Sequence, residues 1–157
     1  MTKTYLNPSL KTNKPILCID MDGVLCDFDT RYTVLRAMGV REHQIWKHPE
    51  LYNDLDPIIG AVEAWEKLQD KYDTYILSTP PWSSPLAWSQ KREWVEKYLG
   101  KTAKKKLILC HNKGIVNGDY LIDDRIAHGV ADFPGEHIHF GAVEQFKDWA
   151  AVLEYLL

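Results

Sequence analysis

The chain has 157 residues, of which 45% are hydrophobic and 26% charged, and this balance is typical of a single globular domain with a small insertion. Nineteen Lys and Arg side chains against 22 Asp and Glu give a net charge of −3, which argues against a polymeric nucleic acid as partner. No segment approaches the roughly 20 apolar residues of a membrane span, and the three cysteines form no CxxC pair. We therefore expect a cytoplasmic protein without a membrane partner.

Short apolar runs of strand length alternate with segments of helical periodicity along the chain, which predicts an α/β fold with a mostly parallel sheet covered by helices. Each run is continuous and apolar, as buried parallel strands are. The predicted strands are residues 16–21, 74–78, 107–110, 120–123 and 137–140. His137 and His139 alternate as strand neighbours do, and the histidines show no zinc-ligand spacing.

Three longer segments are predicted to be sheet-covering helices, because their apolar residues recur at steps of three and four. They are residues 61–72, 84–99 and 143–157. The second of these helices has both end signals, since Ser84 and Pro85 are typical of a helix start and Gly100 of a stop.

An insertion is predicted between the first two strands, because about 50 residues separate them, twice what one helix and two short loops require. Residues 29–56 contain two short predicted helices, 29–38 and 41–46. We interpret 29–56 as a small helical cap over the carboxyl edge of the sheet, where open α/β folds bind ligands. Residues 1–28 and 57–157 then form the core domain.

The clearest chemical signal is PILCIDMDGV at residues 15–24, an apolar strand that ends in Asp20, with Asp22 and Gly23 directly after it. A glycine here permits a tight turn, so both carboxylates lie at the mouth of the sheet. Like charges so close together need a counter-charge, and Mg²⁺ with oxygen ligands supplies one. A turn or helix-cap aspartate, the usual alternative, explains one acid but not two.

Three further features follow at positions where the same site needs them. Ser78 and Thr79 end the second strand with hydroxyls that can donate to a phosphoryl oxygen, and Lys113 in HNKG can bring an ammonium to the same group. Taken singly, each of these residues is more often a turn or surface residue. In LIDDR an apolar strand delivers Asp123 and Asp124, a second acidic pair, to the same sheet edge.

The order DMDGV, strand-end Ser, Lys and strand-end DD resembles the haloacid dehalogenase-like phosphohydrolases. Four longer strings look like the 5'(3')-deoxyribonucleotidases within that superfamily: DMDGVLCDF, PIIGAVEAWEKL, WVEKYLG and LIDDR. The resemblance covers nearly the whole chain. It implies a Rossmann-like three-layer parallel sheet with a small cap after the first strand, Mg²⁺ as cofactor, and hydrolysis of nucleoside monophosphates.

The same resemblance implies roles for the first acidic pair. Asp20 is expected to attack phosphorus and form an aspartyl-phosphate, which splits one difficult displacement into two easier ones, and its carboxylate is also expected to bind the metal. Asp22 is expected to protonate the leaving ribose oxygen and later to take a proton from water, while its backbone carbonyl completes a metal position.

The remaining motif residues have implied roles around the phosphate. Asp124 is expected to be a direct metal ligand, with Asp123 supporting the metal shell. Ser78 and Lys113 are expected to hold the phosphoryl oxygens, since charge spread over the transition state needs donors already in place. Thr79 joins them as a substrate-binding residue.

Base recognition is expected from aromatic side chains. Phe28 and Trp46 match base-contacting aromatics of the nucleotidases, and stacking on a base is worth about 1 to 3 kcal/mol; the alternative is that both are core residues of a small cap. We expect Trp82 to line the same mouth. At this point the chain departs from its relatives, because Pro81 and Trp82 stand where they carry a basic residue. The cap is also shorter than in the animal enzymes.

Two alternatives to a nucleotidase stay open. The shortened cap is compatible with another small phosphomonoester, such as a sugar phosphate. A non-catalytic phospho-acceptor or binding module, such as a receiver-like domain, also has strand-end acids, a hydroxyl and a lysine. A receiver carries its acceptor Asp after the third strand, where this chain has Cys110 and His111. The sequence leaves the oligomeric state open, with a homodimer as one option.

Overall fold

One parallel sheet of five strands organises residues 12–157, the part of the chain that a computed structural model describes. The sheet order is β3-β2-β1-β4-β5, which places the first strand at the centre. The first 11 residues of the predicted core range 1–28 lie outside the described part. The parallel α/β fold predicted from the sequence is confirmed. The strands are β1 (Ile16–Ile19), β2 (Asp73–Ser78), β3 (Leu107–Leu109), β4 (Tyr120–Asp123) and β5 (Glu136–His139).

Five α-helices accompany the sheet, and none of those within residues 12–157 is long and apolar enough to cross a membrane. The fourth begins and ends where the sequence signals predict: Ser84 Oγ accepts from the backbone N–H of Ala87, Pro85 is the first helical residue, and Gly100 follows at φ +66°. The helices are α1 (Phe28–Ala37), α2 (Glu42–Ile45), α3 (Ala61–Leu68), α4 (Pro85–Leu99) and α5 (Trp149–Leu156).

The last predicted helix is shorter than expected. Instead of running through 143–157, the chain forms a 3₁₀ turn at Glu144–Phe146, and α5 starts after Asp148. The cause is local, because the Asp148 carboxylate accepts from the backbone N–H of Ala151 at 2.9 Å and so caps a new helix. Similarly, α3 ends at Leu68, and the buried Tyr72 lies in the turn that follows.

The two faces of the sheet are covered differently, because successive strand residues point to opposite faces. Leu17 and Ile19 join a large apolar cluster to which all five helices contribute. Cys18 joins a smaller cluster with Val130 and Phe133. On this second face the covering layer is made of loops and short 3₁₀ turns rather than long helices.

The predicted insertion packs onto α4. Trp94 donates its indole N–H to the carbonyl of Leu55 at 2.7 Å, and Gln90 donates to the carbonyl of Pro49 at 2.8 Å. The apolar side chains of α1 and α2 join the large cluster, so the insertion shares a core with the sheet. The division into a core domain and a cap at 29–56 stays a prediction. The insertion is held at the carboxyl side of β1, above the strand end that carries Asp20.

We expect Trp94→Phe to lower the free energy of unfolding by about 1–3 kcal/mol. Phenylalanine keeps most of the apolar contact but leaves the buried carbonyl of Leu55 without its donor. Urea unfolding followed by far-UV circular dichroism measures the change.

Arg92→Ala is the matched control on the same helix. Its guanidinium pairs with Glu96 and both side chains are about two-thirds exposed, so we expect a change below roughly 0.5 kcal/mol. Equal unfolding midpoints for wild type and Trp94→Phe would show that this hydrogen bond does not stabilise the fold.

Candidate active site

The carboxyl ends of three neighbouring strands bring the predicted site residues to one edge of the sheet. Asp20 follows β1, Ser78 ends β2, and Asp123 ends β4. The backbone N–H of Asp20 donates to the carbonyl of Ile122 at 2.9 Å, so the chain stays beside β4 past the end of β1. Polar groups that are far apart in sequence are therefore neighbours in the fold.

Lys113 joins the two acidic pairs. Its Nζ lies 2.9 Å from Asp20 Oδ1 and 2.5 Å from Asp123 Oδ2, and the residue is only 3% exposed. Burial lowers the pKa of Lys113, but the two carboxylates outweigh it and raise the pKa above its ordinary value. Asn112 caps the 3₁₀ turn that begins at Lys113, and the backbone N–H of Lys113 donates to the carbonyl of His128 at 2.7 Å. The ammonium is thus charged and held in place.

Asp124 completes a cluster of three carboxylates. One oxygen each from Asp20, Asp123 and Asp124 lie within 4.8 Å of one another. Asp124 Oδ1 is buried and has no hydrogen-bond partner within residues 12–157. Gly23 makes room for this carboxylate: it adopts φ +79°, and a Cβ there would clash with Asp124 Oδ2. Only glycine meets both conditions at this turn.

Burial and mutual repulsion destabilise the ionised form of the carboxylates in this cluster. Burial raises the pKa of Asp20 to about 7, and Asp123 and Asp22 add to the rise while Lys113 opposes it. Burial together with Asp123 raises the pKa of Asp124 to about 6. An unpartnered buried carboxylate oxygen and acids that resist ionisation are what a site for a hard divalent cation shows before the cation is added. The residues present therefore fit Mg²⁺.

The side chain of Asp22 points away from the cluster, toward a residue that the sequence analysis missed. Lys91 on α4 places its Nζ 2.9 Å from Asp22 Oδ2 and 2.9 Å from Ser78 Oγ, and it lies 4.7 Å from the ring centre of Tyr52. Lys91 is 1% exposed. A signal was present, because a lysine three residues before Trp94 lies on the apolar face of the predicted helix.

An aromatic wall faces the carboxylates across the pocket. Phe28 and Trp46 stack with ring centres 6.1 Å apart and planes 16° apart, and Tyr52 lies 5.4 Å from Phe28. Phe28 is 4% exposed and so is both a core residue and a pocket residue, whereas Trp46 is 38% exposed. Tyr52 had no sequence prediction. The pocket is lined by Asp20, Asp22, Phe28, Trp46, Tyr52, Thr79, Lys113, Asp123, Arg125, Ala127 and His128.

The pocket wall beside β4 consists of Arg125, Ala127 and His128, which sequence reasoning also missed. Burial lowers the pKa of His128, and Lys113 and Arg125 lower it further, so its imidazole is neutral near pH 7. Thr79 also lines the pocket, and its hydroxyl donates to the carbonyl of Cys110 at 2.8 Å, so its role in substrate binding stays a prediction.

The expectation that Trp82 lines the same mouth is wrong. Its indole is 82% exposed and lies outside the pocket lining. The ring is instead held edge-on against Trp88 at 6.4 Å and His111 at 5.8 Å between ring centres. Both neighbours bind the backbone of the β2–α4 loop, since Trp88 donates to the carbonyl of Pro81 and His111 contacts that of Pro80.

Known proteins match this chain over most of its length. The model of the family described as "5' nucleotidase, deoxy (Pyrimidine), cytosolic type C protein" matches residues 34–148. A Vibrio phage KVP40 protein, provisionally named a 5'(3')-deoxyribonucleotidase, is 46% identical over 93% of this chain and 86% of its own. The human cytosolic-type 5'(3')-deoxyribonucleotidase is 30% identical over 78% of this chain and 77% of its own. The Bacillus subtilis 5'(3')-deoxyribonucleotidase is 31% identical over 88% and 72%, respectively.

Solved structures share the fold at low sequence identity. A haloacid dehalogenase-like hydrolase from Xanthomonas campestris matches with a TM-score of 0.60 at 11% identity, over 91% of this chain and 96% of its own. A Bacillus subtilis HAD-hydrolase bound to magnesium matches with a TM-score of 0.57 at 11% identity, over 92% and 99%. The fold is shared with haloacid dehalogenase-like hydrolases. Family model and relatives agree, and the chain belongs to the family of cytosolic type C 5'-nucleotidases for deoxynucleotides and is a phosphoric monoester hydrolase.

Proposed function

We propose that the protein hydrolyses deoxyribo- and ribonucleoside monophosphates to nucleoside and phosphate, with Mg²⁺ and through an aspartyl-phosphate. The observation that carries the proposal is one pocket in which Asp20, held by Lys113 beside two further carboxylates, faces the stacked rings of Phe28 and Trp46. Carboxylates and an ammonium suit a phosphate, and flat rings suit a base. The names of the relatives support the nucleotide as substrate.

Mg²⁺ is the proposed cofactor. Asp20 and Asp124 would bind it directly, the backbone carbonyl of Asp22 would complete a position, and Asp123 would support this shell. The buried, unpartnered Asp124 Oδ1 supports the assignment, as does the magnesium bound to the Bacillus subtilis fold relative. When bound, the ion neutralises the carboxylates and the phosphoryl oxygens.

In the first step Asp20 is the nucleophile. Lys113 contacts Asp20 Oδ1, whereas Oδ2 receives no hydrogen bond from residues 12–157 and is free to approach phosphorus. A bond forms between the carboxylate oxygen and phosphorus while the bond from phosphorus to the ribose oxygen breaks. Asp22 in its protonated form gives its proton to that leaving oxygen, which departs as the nucleoside hydroxyl.

In the second step water releases the enzyme. Asp22, now a carboxylate, takes a proton from a water molecule as the water oxygen attacks phosphorus. The bond between phosphorus and Asp20 breaks, inorganic phosphate leaves, and both aspartates return to their initial states. Lys91 orients the Asp22 side chain, because its ammonium holds Asp22 Oδ2 at 2.9 Å.

Lys113 and Ser78 are the proposed donors to the phosphoryl group. An ammonium has three N–H donors, and Asp20 and Asp123 use two of those of Lys113, so one is left for a phosphoryl oxygen. Ser78 Oγ accepts from Lys91, which leaves its own hydroxyl proton free to donate. Thr79, the residue after Ser78, lines the pocket together with Lys113.

A cytoplasmic location and a homodimer are further proposals for this chain. The free cysteines Cys18, Cys26 and Cys110 are compatible with a reducing compartment. Light scattering on the purified protein tests the dimer, and a mass equal to one chain would exclude it.

The experiment that tests the function is phosphate release from a panel of 5'- and 3'-deoxynucleoside monophosphates, ribonucleotides and sugar phosphates, each with Mg²⁺ and with EDTA. We expect turnover only with Mg²⁺ and the highest kcat/KM on deoxynucleotides. Preference for sugar phosphates would keep the site and overturn the substrate, and full activity in EDTA would overturn the cofactor.

Asp20→Asn is the control for the nucleophile within the same panel. The amide cannot form the aspartyl-phosphate, so we expect turnover to fall below detection while the chain stays folded. Activity near that of the wild type would remove Asp20 as the nucleophile.

We expect Lys91→Met to lower kcat by about 100-fold, with a smaller change in KM. Methionine has a similar volume but provides no donor, so Asp22 and Ser78 lose the ammonium that orients both. Steady-state kinetics on a deoxynucleotide at saturating Mg²⁺ measures the effect.

Lys97→Met is the matched control, since Lys97 is an exposed lysine on the same helix that pairs with Asp54 at the surface. We expect its kcat to stay within about twofold of the wild type, because exposed ion pairs contribute little. An unchanged kcat for Lys91→Met would mean that Asp22 is oriented without Lys91.

We expect Trp46→Ala to raise KM for deoxynucleotides roughly 5- to 150-fold, which corresponds to the loss of one stacked base. Glycerol phosphate has no base, so its kcat/KM is expected to stay unchanged. Met38→Ala, an exposed substitution at the end of α1, is the control for general effects on the insertion. Equal losses on both substrates would argue against base stacking.

A further inference from the structure

Two histidines on the edge strand β5 remain without a role in the proposed mechanism. His137 and His139 are two residues apart on a strand, so their rings lie on the same face of the sheet. The rings stack with centres 4.9 Å apart and planes 27° apart. Both residues are partly buried, and both are next to the end of β4, since β5 pairs with β4 and is the last strand at that edge of the sheet within residues 12–157.

Each ring contacts the backbone of one residue of the second acidic pair. His137 Nε2 lies 3.0 Å from the carbonyl oxygen of Asp123, and His139 Nε2 lies 3.0 Å from the carbonyl oxygen of Asp124. A carbonyl oxygen can only accept, so each Nε2 carries a hydrogen and donates it. The histidines of β5 therefore hold the backbone carbonyls of two consecutive residues, Asp123 and Asp124, whose carboxylates belong to the proposed metal site.

The two contacts differ in importance. Asp123 is still part of β4, and its carbonyl also accepts from the backbone N–H of Phe140 at 3.0 Å. Asp124 lies beyond the strand, and within residues 12–157 no backbone N–H donates to its carbonyl. His139 is thus the donor to the Asp124 carbonyl, while the N–H of the same peptide group, that of Arg125, donates to Asp123 Oδ1 at 3.0 Å. The hydrogen bond from His137 to the Asp123 carbonyl adds to one that the sheet already provides.

The position of the Asp124 peptide decides where its carboxylate lies. Oδ1 has no hydrogen-bond partner, and Arg125 Nε is 3.9 Å from Oδ2, beyond normal hydrogen-bond length. Gly23 leaves room for the carboxylate, and its backbone N–H donates to the carbonyl of Cys26 at 2.9 Å instead. The carboxylate accepts a hydrogen bond from its own backbone N–H, so its direction depends on the backbone behind it.

We propose that His139, with a smaller contribution from His137, is a positioning residue for the divalent-cation site and acts through the backbone carbonyls of Asp124 and Asp123. The proposal rests on the Mg²⁺ site of the proposed function. It adds the edge strand β5 to the parts of the fold that determine metal affinity.

Calorimetric titration of the full chain with Mg²⁺, without substrate, tests the proposal on four variants. We expect His139→Leu to weaken Mg²⁺ binding about 10- to 100-fold, as loss of a partner behind a metal ligand does. His139→Gln places an amide N–H near the Nε2 position and is expected to bind within about threefold of the wild type, whereas the shorter His139→Asn is not. His137→Leu is expected to change Kd by less than about threefold, because Phe140 still holds the Asp123 carbonyl.

Kinetics and thermal unfolding separate positioning from stability. We expect kcat of His139→Leu to recover at saturating Mg²⁺ while the Mg²⁺ concentration for half-maximal rate stays raised. Val152→Ala in the buried face of α5 lowers the melting temperature without touching the site and is expected to keep the wild-type Kd for Mg²⁺. If His139→Leu fails to fold, the proposal is tested by comparing His139→Gln with His139→Asn, because the two side chains differ only by one methylene group in length.

Three results would overturn the proposal. They are an unchanged Mg²⁺ Kd in folded His139→Leu, equal Kd values for His139→Gln and His139→Asn, and a weakened Kd in Val152→Ala that matches its loss of stability. A wild-type chain that binds no Mg²⁺ would instead overturn the cofactor of the proposed function, and the positioning role with it.

Discussion

Repulsion among four carboxylates at the ends of two adjacent strands is the constraint on which the site depends. Parallel pairing of β1 with β4 forces Asp20 and Asp123 together, and burial makes their negative charge costly. Two buried lysines offset part of this repulsion: Lys113 lies between Asp20 and Asp123, and Lys91 lies beside Asp22. Neither reaches Asp124, and the charge that remains there is what a divalent cation would neutralise.

The helix α4 contacts both the acidic edge of the sheet and the predicted insertion. Its buried face holds Lys91 against Asp22 and Ser78, and the same helix binds the insertion through Trp94 and Gln90. The insertion that carries Trp46 and the side chain of Asp22 are therefore both held by the same helix, α4. Because Lys91 also lies against the ring of Tyr52, its ammonium contacts both the carboxyl edge of the sheet and the insertion.

Much of the fold and part of the site could be predicted from local patterns. Parallel strands buried on both faces appear as apolar runs, and a strand-end acid followed by glycine is a local feature, so Asp20, Asp22 and Asp123 were visible. Tyr52 and His128 were not, because each lines the pocket only through packing across the fold. Lys91 had a local signal, but its place beside Asp22 and Ser78 also depends on a contact across the fold. The prediction for Trp82 was wrong because it used only the position of this residue after the second strand. Packing against Trp88 and His111 holds its ring outside the pocket.

The sequence by itself determined the parallel α/β fold, the two acidic pairs and their lysine partner, the family resemblance, and the start and end of α4. Periodicity, capping and short motifs are properties of neighbouring residues, and they survive without knowledge of what packs where. The tertiary structure decided which side chains face one another: the orphaned oxygen of Asp124 over Gly23, the ammonium shared by Asp22 and Ser78, and the imidazoles of β5 behind the second acidic pair. These depend on strand order and register, which bring together residues separated by tens of positions, and no local pattern encodes such distances.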